Sequence, residues 1–591
     1  MPARCKLFIL AVCLGLACTL VLPAQALKPP EPKPFSPMLR PGAWKKDRAK
    51  SMVPLGQQVS DSRAKLYLAR ILGWIRDYDQ SLEVYSQILS AHPDNWKARR
   101  EAARTAYWAK RNELGNSLYR QLFTPPVDAL LAQRLAQAAE RSASQSEARR
   151  IRELIPQDPQ ATVFQGFEAL LRLVEHPEAG LPAPIRTRAG DILDDLRTKY
   201  VRHKQAWLEY RAKQSMWNKR FIPAMHRLQE LVGLEPTNQE AWFDLAQTQC
   251  VLGLCDQEAK TYSQLVDLAP KHNLARRALK RQEIRSSPAL AVRYSLWDEQ
   301  GRGELSQMHR QRTDMYLEVP LLCRHSLGLT LSRHWEDPQR HAEEVRANSL
   351  RLQGRIRLNA FWSGDFALRL KDYQDSVYAS QETGHLGVHF NAWDMARLQF
   401  RFARENLLPN AFALAQGIYA DTWRAEVTSH LTHALSAAGG GQYVDYSDHN
   451  KGVQTDLALG YALTEHPREL KITVSGEYRD TAQESREIWN QQNTVTDIVH
   501  PYWTPQDYLG TALTLQWRHD LSDFQFCGTQ EHVYDMQLTA GTDTDSNPSI
   551  ELKGTYTLDF TQHWRLELEG MLHESQDWDA QSVLAGVRYR F

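Results

Sequence analysis

Beyond its first 26 residues the chain has no run of 18 or more apolar residues. That excludes a bundle of transmembrane helices, which needs repeated apolar stretches of about 20 residues. Cysteine is scarce, seven in 591 residues, and Cys5, Cys13 and Cys18 fall in the N-terminal segment. The other four, Cys250, Cys255, Cys323 and Cys527, are too few for a disulfide scaffold and form no C-x-x-C metal spacing. Cys250 and Cys255 could pair across a helix turn in an oxidising compartment, or serve as two small apolar core residues. Catalytic signatures are missing as well: there is no H-E-x-x-H, P-loop, G-x-S-x-G or G-x-G-x-x-G. The 20 histidines do not cluster at ligand spacing. The expectation is a protein with no catalytic residue, metal or cofactor.

Lysine nearly disappears after residue 288, leaving only Lys371, Lys451, Lys471 and Lys553. Residues 289–591 carry 27 basic and 41 acidic side chains, against 44 and 29 in residues 1–288. A chain with a net charge of +1 is thus polarised into a basic half and an acidic half, as two domains with different surroundings would be. Mean hydropathy is low, −0.53. A membrane β-barrel is compatible with that value, because only every second residue of its strands faces lipid. Wholesale disorder is not, given 17 Trp, 22 Tyr and 17 Phe to build a core.

Four segments follow from the pattern. Residues 1–26 have a basic start (Arg4, Lys6), an apolar stretch Leu7–Leu22 and a terminal Ala24-Gln25-Ala26, which together read as a secretory signal peptide. Residues 27–60 are rich in proline (Pro29, Pro30, Pro32, Pro34, Pro37, Pro41) and read as an extended linker. Residues 61–285 repeat with a period of 34, as in Tyr85 and Tyr119, Ala69 and Ala103, Ala212 and Ala246, Pro236 and Pro270. Small residues at these positions let paired helices approach, an aromatic or leucine (Tyr85, Tyr119, Leu228, Tyr262) fills the groove, and the proline closes the unit. The pattern weakens between about 128 and 200, where helical periodicity persists without the repeat. It resembles the tetratricopeptide repeat (TPR), and predicts a TPR-like solenoid of five to six helical pairs.

Residues 289–591 alternate with a period of two. Val583, Ala585, Val587 and Tyr589 alternate with Ser582, Gly586, Arg588 and Arg590. Trp564, Leu566 and Leu568 alternate with Arg565, Glu567 and Glu569, and Leu398, Phe400 and Phe402 with Arg397, Gln399 and Arg401. Charges occur deep inside these runs, and several apolar faces begin or end in Trp or Tyr (Trp362, Trp517, Trp564, Tyr589), as an interfacial girdle requires. The expected fold is α + β multidomain, a helical solenoid followed by an antiparallel transmembrane β-barrel of about 16 strands. Gly439-Gly440-Gly441 reads as a turn, and Asp480–Asp507 as a long loop on the outer side. On the inward face Glu477, Asp535, Glu551, Asp559, Glu567 and Glu569 are expected to solvate a polymer and attract cations. Arg397 and Arg401 are expected on the same face, and Tyr502 and Trp503 at the mouth.

A leader, helical repeats and a C-terminal barrel in one chain resemble the exopolysaccharide export porins, nearest in plan to the poly-β-1,6-N-acetylglucosamine export porin family. The segment Tyr502-Trp503-Thr504-Pro505-Gln506-Asp507-Tyr508 is similar to an aromatic-proline stretch of that group. The resemblance implies outer-membrane export of a biofilm-matrix exopolysaccharide. The repeats would lie in the periplasm, guiding polymer or recruiting a polysaccharide-modifying enzyme or the inner-membrane synthase complex. The barrel would be a hydrated conduit in outer-membrane lipid, and nucleic acid is not an expected partner. The alternative is an outer-membrane-anchored TPR scaffold for a periplasmic complex, with a barrel enzyme a more distant third.

Overall fold

The computed structural model describes residues 62–591 apart from 143, 155–163, 177–180, 322–323, 339–343, 376, 393 and 523–525. The expected signal peptide, the proline-rich linker and Cys323 lie outside the described residues. Twelve helices come first: α1 (Ser62–Trp74), α2 (Tyr78–Ala91), α3 (Trp96–Trp108), α4 (Asn112–Leu122), α5 (Val127–Glu140), α6 (Gln145–Glu153), α7 (Gln165–Glu175), α8 (Ala183–Trp217), α9 (Phe221–Leu234), α10 (Gln239–Val251), α11 (Cys255–Leu268) and α12 (Asn273–Arg285).

The alanines, aromatics and leucine of the 34-residue recurrence are buried by the helices, while Pro236 and Pro270 stay exposed. Ala69, Ala103, Ala212, Ala246, Tyr119, Leu228 and Tyr262 are all fully buried, and Tyr85 nearly so. The array runs α1/α2, α3/α4, then jumps to α8. Ala103 and Tyr119 pack with Ala206 and Tyr210 in the C-terminal half of that 35-residue helix. The stretch without the repeat is a side lobe, in which α5, α6 and α7 pack Leu131, Leu135, Ile151 and Phe167 on Ile185, Leu193 and Leu196 of the N-terminal half of α8. The period fails there because the lobe is inserted between successive helix pairs.

After Pro288 the chain enters a closed antiparallel barrel of 16 strands. These are β1 (Ala289–Gly301), β2 (Ser306–Leu321), β3 (His325–Asp337), β4 (Val345–Arg357), β5 (Trp362–Tyr373), β6 (Gln381–Ala392), β7 (Ala396–Asn406), β8 (Tyr419–His430), β9 (Leu435–Tyr446), β10 (Lys451–Ala462), β11 (Arg468–Thr481), β14 (Tyr508–Asp520), β15 (His532–Asp543), β16 (Ser549–Asp559), β17 (Trp564–Ser575) and β18 (Trp578–Arg590). A short hairpin, β12 (Arg486–Trp489) with β13 (Val495–Val499), stands apart from the wall. Closure comes from β1 pairing with β18, with Ala289 opposite Arg590. Gly439, Gly440 and Gly441 are not a turn, as the sequence suggested. They lie inside β9, paired with β8 and β10, where their missing side chains leave the wall smooth on both faces.

The alternation resolves into an outside and an inside. Outward residues are apolar and bare: Leu457 is 71% exposed and Leu368 62%, amid Val292, Leu331, Phe400, Leu459 and Val474. A water-soluble sheet does not leave so continuous an apolar band uncovered. In a bilayer it is the lipid-facing surface, and closure leaves no strand edge unpaired in lipid. Inward residues converge across the concave face, so that side chains two strands apart meet. Arg293 reaches Glu567 (2.8 Å), Arg424 reaches Asp456 (2.8 Å), and Lys371 pairs with Glu336.

Candidate functional site

The candidate site is the lumen with its two mouths. At the near end, where both barrel termini lie, the helices touch every turn of the rim. Asp256 pairs with Arg324 of the β2–β3 turn (2.6 Å), and the Leu252 carbonyl accepts from the Arg357 guanidinium at the β4–β5 turn. The Ile222 N–H donates to Asp394 (2.5 Å) at β6–β7, and Trp217 stacks on His433 (4.4 Å) at β8–β9. Trp217 and Asn112 both donate to Glu465 at β10–β11 (3.1 and 3.2 Å). Arg281 pairs with Asp559 (2.5 Å) and donates to the Gln562 carbonyl at β16–β17, while Arg590 of β18 donates to the Arg285 carbonyl (2.5 Å). The β14–β15 turn is held covalently by a disulfide between Cys527 and Cys250 of α10. The helices form a crown seated on the rim. The Cys250–Cys255 pairing left open above is not what the structure contains, although Cys255 is disulfide-bonded too.

The inner side of the crown is filled with charge. Glu209 of α8 accepts from Arg100 (2.7 Å), Arg104 (2.5 Å) and Tyr119 (2.7 Å). Arg100 also grips Glu235, and Lys213 lies 2.9 Å from Glu240 and 2.7 Å from Asp244 of α10. Burial would raise the Glu209 pKa, but the Arg100 and Arg104 guanidiniums overcome it and hold the carboxyl well below its usual range. For Asp244, burial and Glu240 prevail over Lys213, and the pKa is pushed up to about 6. Neutral His203, lowered to about 4 mainly by burial, sits deeper in α8.

Two inward-folded loops cover the far mouth. The β7–β8 connection carries a short helix, α13 (Ala411–Gln416), capped by Asn410, whose side chain accepts from Ala413 N (2.9 Å). Gly417 closes it in the left-handed region, φ 61°. Leu414 packs on Val345, Ala347 and Tyr373, so α13 lies against the inner wall at β4–β5. The Pro409 carbonyl accepts from Gln307 N (2.8 Å) of β2, five strands away. The second loop, 482–507, holds the β12–β13 hairpin. Asn410 ties the two loops together, since its amide donates to both the Leu305 and Pro501 carbonyls (3.0 Å each).

Between the mouths the wall carries both signs. On β2–β7, Arg351 lies within electrostatic reach of Arg312 and Arg401, and Arg369 of Arg312 and Arg351, with Asp314 and Asp365 on the same strands. The expected carboxylates stand on the opposite strands, each with a partner. Glu477 bonds Arg479 (2.8 Å), Asp535 accepts from Gln516 (2.7 Å), and Glu551 faces His573 (3.6 Å). Glu567 holds Arg293, and Glu569 pairs with Lys553 (3.1 Å). Asp559 lies at the near rim and anchors the crown through Arg281. Arg397 begins the inward row of β7, and Arg401 lies 3.5 Å from Glu405. Tyr502 is buried, stacked on Tyr446 (4.4 Å) and donating to Asp448 (2.9 Å), so it fastens the mouth loop. Trp503 lies beside Tyr508 (5.0 Å). Sequence reasoning passed over inward Trp297 and Trp578 and the 407–418 loop. The tryptophans were readable, because the outward rows Leu290/Val292/Tyr294 and Val583/Ala585/Val587 put both on the lumen side.

No family model and no curated protein matches the chain. Among solved structures, a bacterial polysaccharide outer membrane secretin is similar at 12% identity, over 52% of this chain and 99% of that one, with a TM-score of 0.41. Pseudomonas aeruginosa OccD3 (OpdP) is similar at 8% identity over 52% and 91%, TM-score 0.28. A mutant Rh. blastica porin is similar at 11% over 52% and 99%, TM-score 0.26. That the second half of the chain is a closed 16-strand barrel rests on its own strand pairing.

Proposed function

We propose that the chain exports an exopolysaccharide across the outer membrane, as the tetratricopeptide-repeat export porins do. The crown then lies in the periplasm, where it receives polymer or recruits a polysaccharide-modifying enzyme or the synthase complex. The observation that carries this reading is the combination of a charged lumen in a 16-strand barrel with a cover at each mouth. A barrel serving only as an anchor needs neither a lumen lined with charge nor two loops folded in from the wall. Hydroxyl groups exchange water for the inward side chains, and each contact must stay weak, because conduction requires release as well as binding. Covers at both ends keep other solutes out between chains of polymer.

The test places one cysteine on each side of the lumen, Gln399→Cys on β7 and Thr555→Cys on β16, and bridges them with a long bis-maleimide. Surface polymer is expected to vanish on bridging and to persist in either single variant. Undiminished polymer in the bridged protein would favour the scaffold reading and end this one.

A further inference from the structure

At the far end of the lumen, aromatic rings from three separate segments gather around guanidinium groups. Arg302, in the β1–β2 turn, is fixed by its backbone N–H donating to the Asp577 carbonyl (2.6 Å). Its guanidinium carbon lies 4.0 Å from the Trp503 ring centre and 4.7 Å from that of Trp578. One strand turn away, Arg310 lies over Trp297 (5.4 Å) and 3.2 Å from the buried Glu299 carboxylate.

Tryptophan in a membrane barrel ordinarily faces outward, at the two interfaces. Trp297 and Trp578 face the water-filled side. Pinning the mouth loop accounts for Trp503 stacked on Arg302. It does not account for Trp297 and Arg310, which belong to the wall. Indole faces beside a carboxylate and a guanidinium match one ligand chemistry well. A pyranose ring has an apolar C–H face to lay on an aromatic face and a rim of hydroxyls to pair with Glu299 and Arg310.

We infer that this cluster is a saccharide-ring subsite at the exit, with the Trp503–Trp578 slot as its stacking platform and the Arg302 guanidinium as its resident occupant. The inference rests on the export reading and names where the polymer is last held. The guanidinium plane and the C–H face of a pyranose chair both pack on an indole face, and they compete for the same two rings. A ring that displaces Arg302 leaves Trp503 to Tyr508 and Arg479 (5.2 Å) alone, and so weakens one attachment of the loop 482–507. Binding at the exit is thereby coupled to loosening of the cover.

The test is calorimetric titration of the full chain in detergent with cellohexaose and with the N-acetylglucosamine hexamer. Removing the competitor in Arg302→Ala is expected to tighten binding of at least one hexamer about 10-fold, a change well resolved by titration. Adding Trp578→Ala to that variant is expected to lose the gain, whereas Trp578→Phe, which keeps a stacking ring, retains most of it. The subsite is overturned if Arg302→Ala binds neither hexamer, binds no tighter than the wild type, or is indifferent to Trp578→Ala. It is overturned too if spermidine, and no sugar, fills the slot, which would make it a site for organic cations. Failure here with polymer loss in the bridged barrel leaves export standing without the subsite. Sugar binding together with undiminished polymer in the bridged barrel removes export instead.

Discussion

A single carboxylate, Glu209, joins three helices, because Arg100 and Arg104 come from α3 and Tyr119 from α4. Replacing it by glutamine leaves Arg104 without a carboxylate and Arg100 with Glu235 alone, and removing one partner of a buried pair costs about 3–5 kcal/mol. Hydrogen exchange in α3 and α8 of Glu209→Gln is expected to accelerate, with the barrel amides unchanged. The carboxyl titrates below its unfolded value. Its stabilising contribution is therefore full above the ordinary glutamate range and fades as pH falls. Asp244 has the opposite sign. Its folded pKa of about 6 exceeds the usual 3.8, so the folded crown holds a proton there that the unfolded chain has already released. Stability from this group is present at low pH and is lost as pH rises from near 4 through 6. Asp244→Asn is expected to flatten the pH dependence of α10 exchange between pH 4 and 6, and an unchanged slope would place the titration elsewhere. None of this network could be read from the sequence. Each member looks like a solvated charge on an amphipathic helix, and the pairs join residues as far apart as Arg100 and Glu235. The positive excess of the N-terminal half is in this part neutralised from within.

At the scale of elements, what was legible is what has a period. The 34-residue recurrence marked the buried anchors. Its disappearance between Tyr119 and Ala212 marked the inserted α5–α7 lobe, although the sequence alone did not say that α8 resumes the array. Alternation separated the two faces of each strand, which puts Glu477, Asp535, Glu551, Glu567 and Glu569 on the inner wall, whereas Asp559 sits at the near rim bound to Arg281. Glycine misled, because three in a row read as a turn when they are a stretch of wall without side chains. The connections carried no period, so nothing in residues 407–418 announced a segment that folds inward. Its hold on the second loop is local and testable. Asn410 supplies the cap of α13 and both amide bonds to Leu305 and Pro501. Asn410→Ala removes all three, and loss of a helix cap by itself costs about 1 kcal/mol. Cleavage of the loop 482–507 by external protease is expected to rise several-fold while heat-resistant barrel migration on gels stays as in the wild type. Equal cleavage would mean that Asp448, which binds both Tyr502 and the His500 imidazole (2.7 Å), holds the loop without Asn410.

Taken whole, the molecule is a barrel whose near mouth is met by helices at every turn of its rim, and the two halves are not independent domains on a tether. The charge asymmetry between them suggested separate surroundings, and the contacts qualify that view, because Asp256–Arg324 and Arg281–Asp559 cross the boundary in both directions of charge. The Cys250–Cys527 bond spans 277 residues of sequence, and no spacing rule could have found it. Its position says more than its strength. It ties α10, whose Glu240 and Asp244 sit at the centre of the crown, to the β14–β15 turn, and the Cys527 N–H donates to Gln247 (2.7 Å) beside it. A crown held there cannot swing clear of the rim as a rigid lid, so passage past it has to proceed by rearrangement within the crown. Cys527→Ser removes that constraint and keeps the packing of Phe526 against Phe243 (5.4 Å). In planar bilayers the variant is expected to show larger and more frequent openings than the disulfide-bonded protein, and mild reduction of the wild type is expected to do the same. If conductance is identical in all three, the crown does not obstruct the near mouth, and the control of passage belongs to the two loops at the far end.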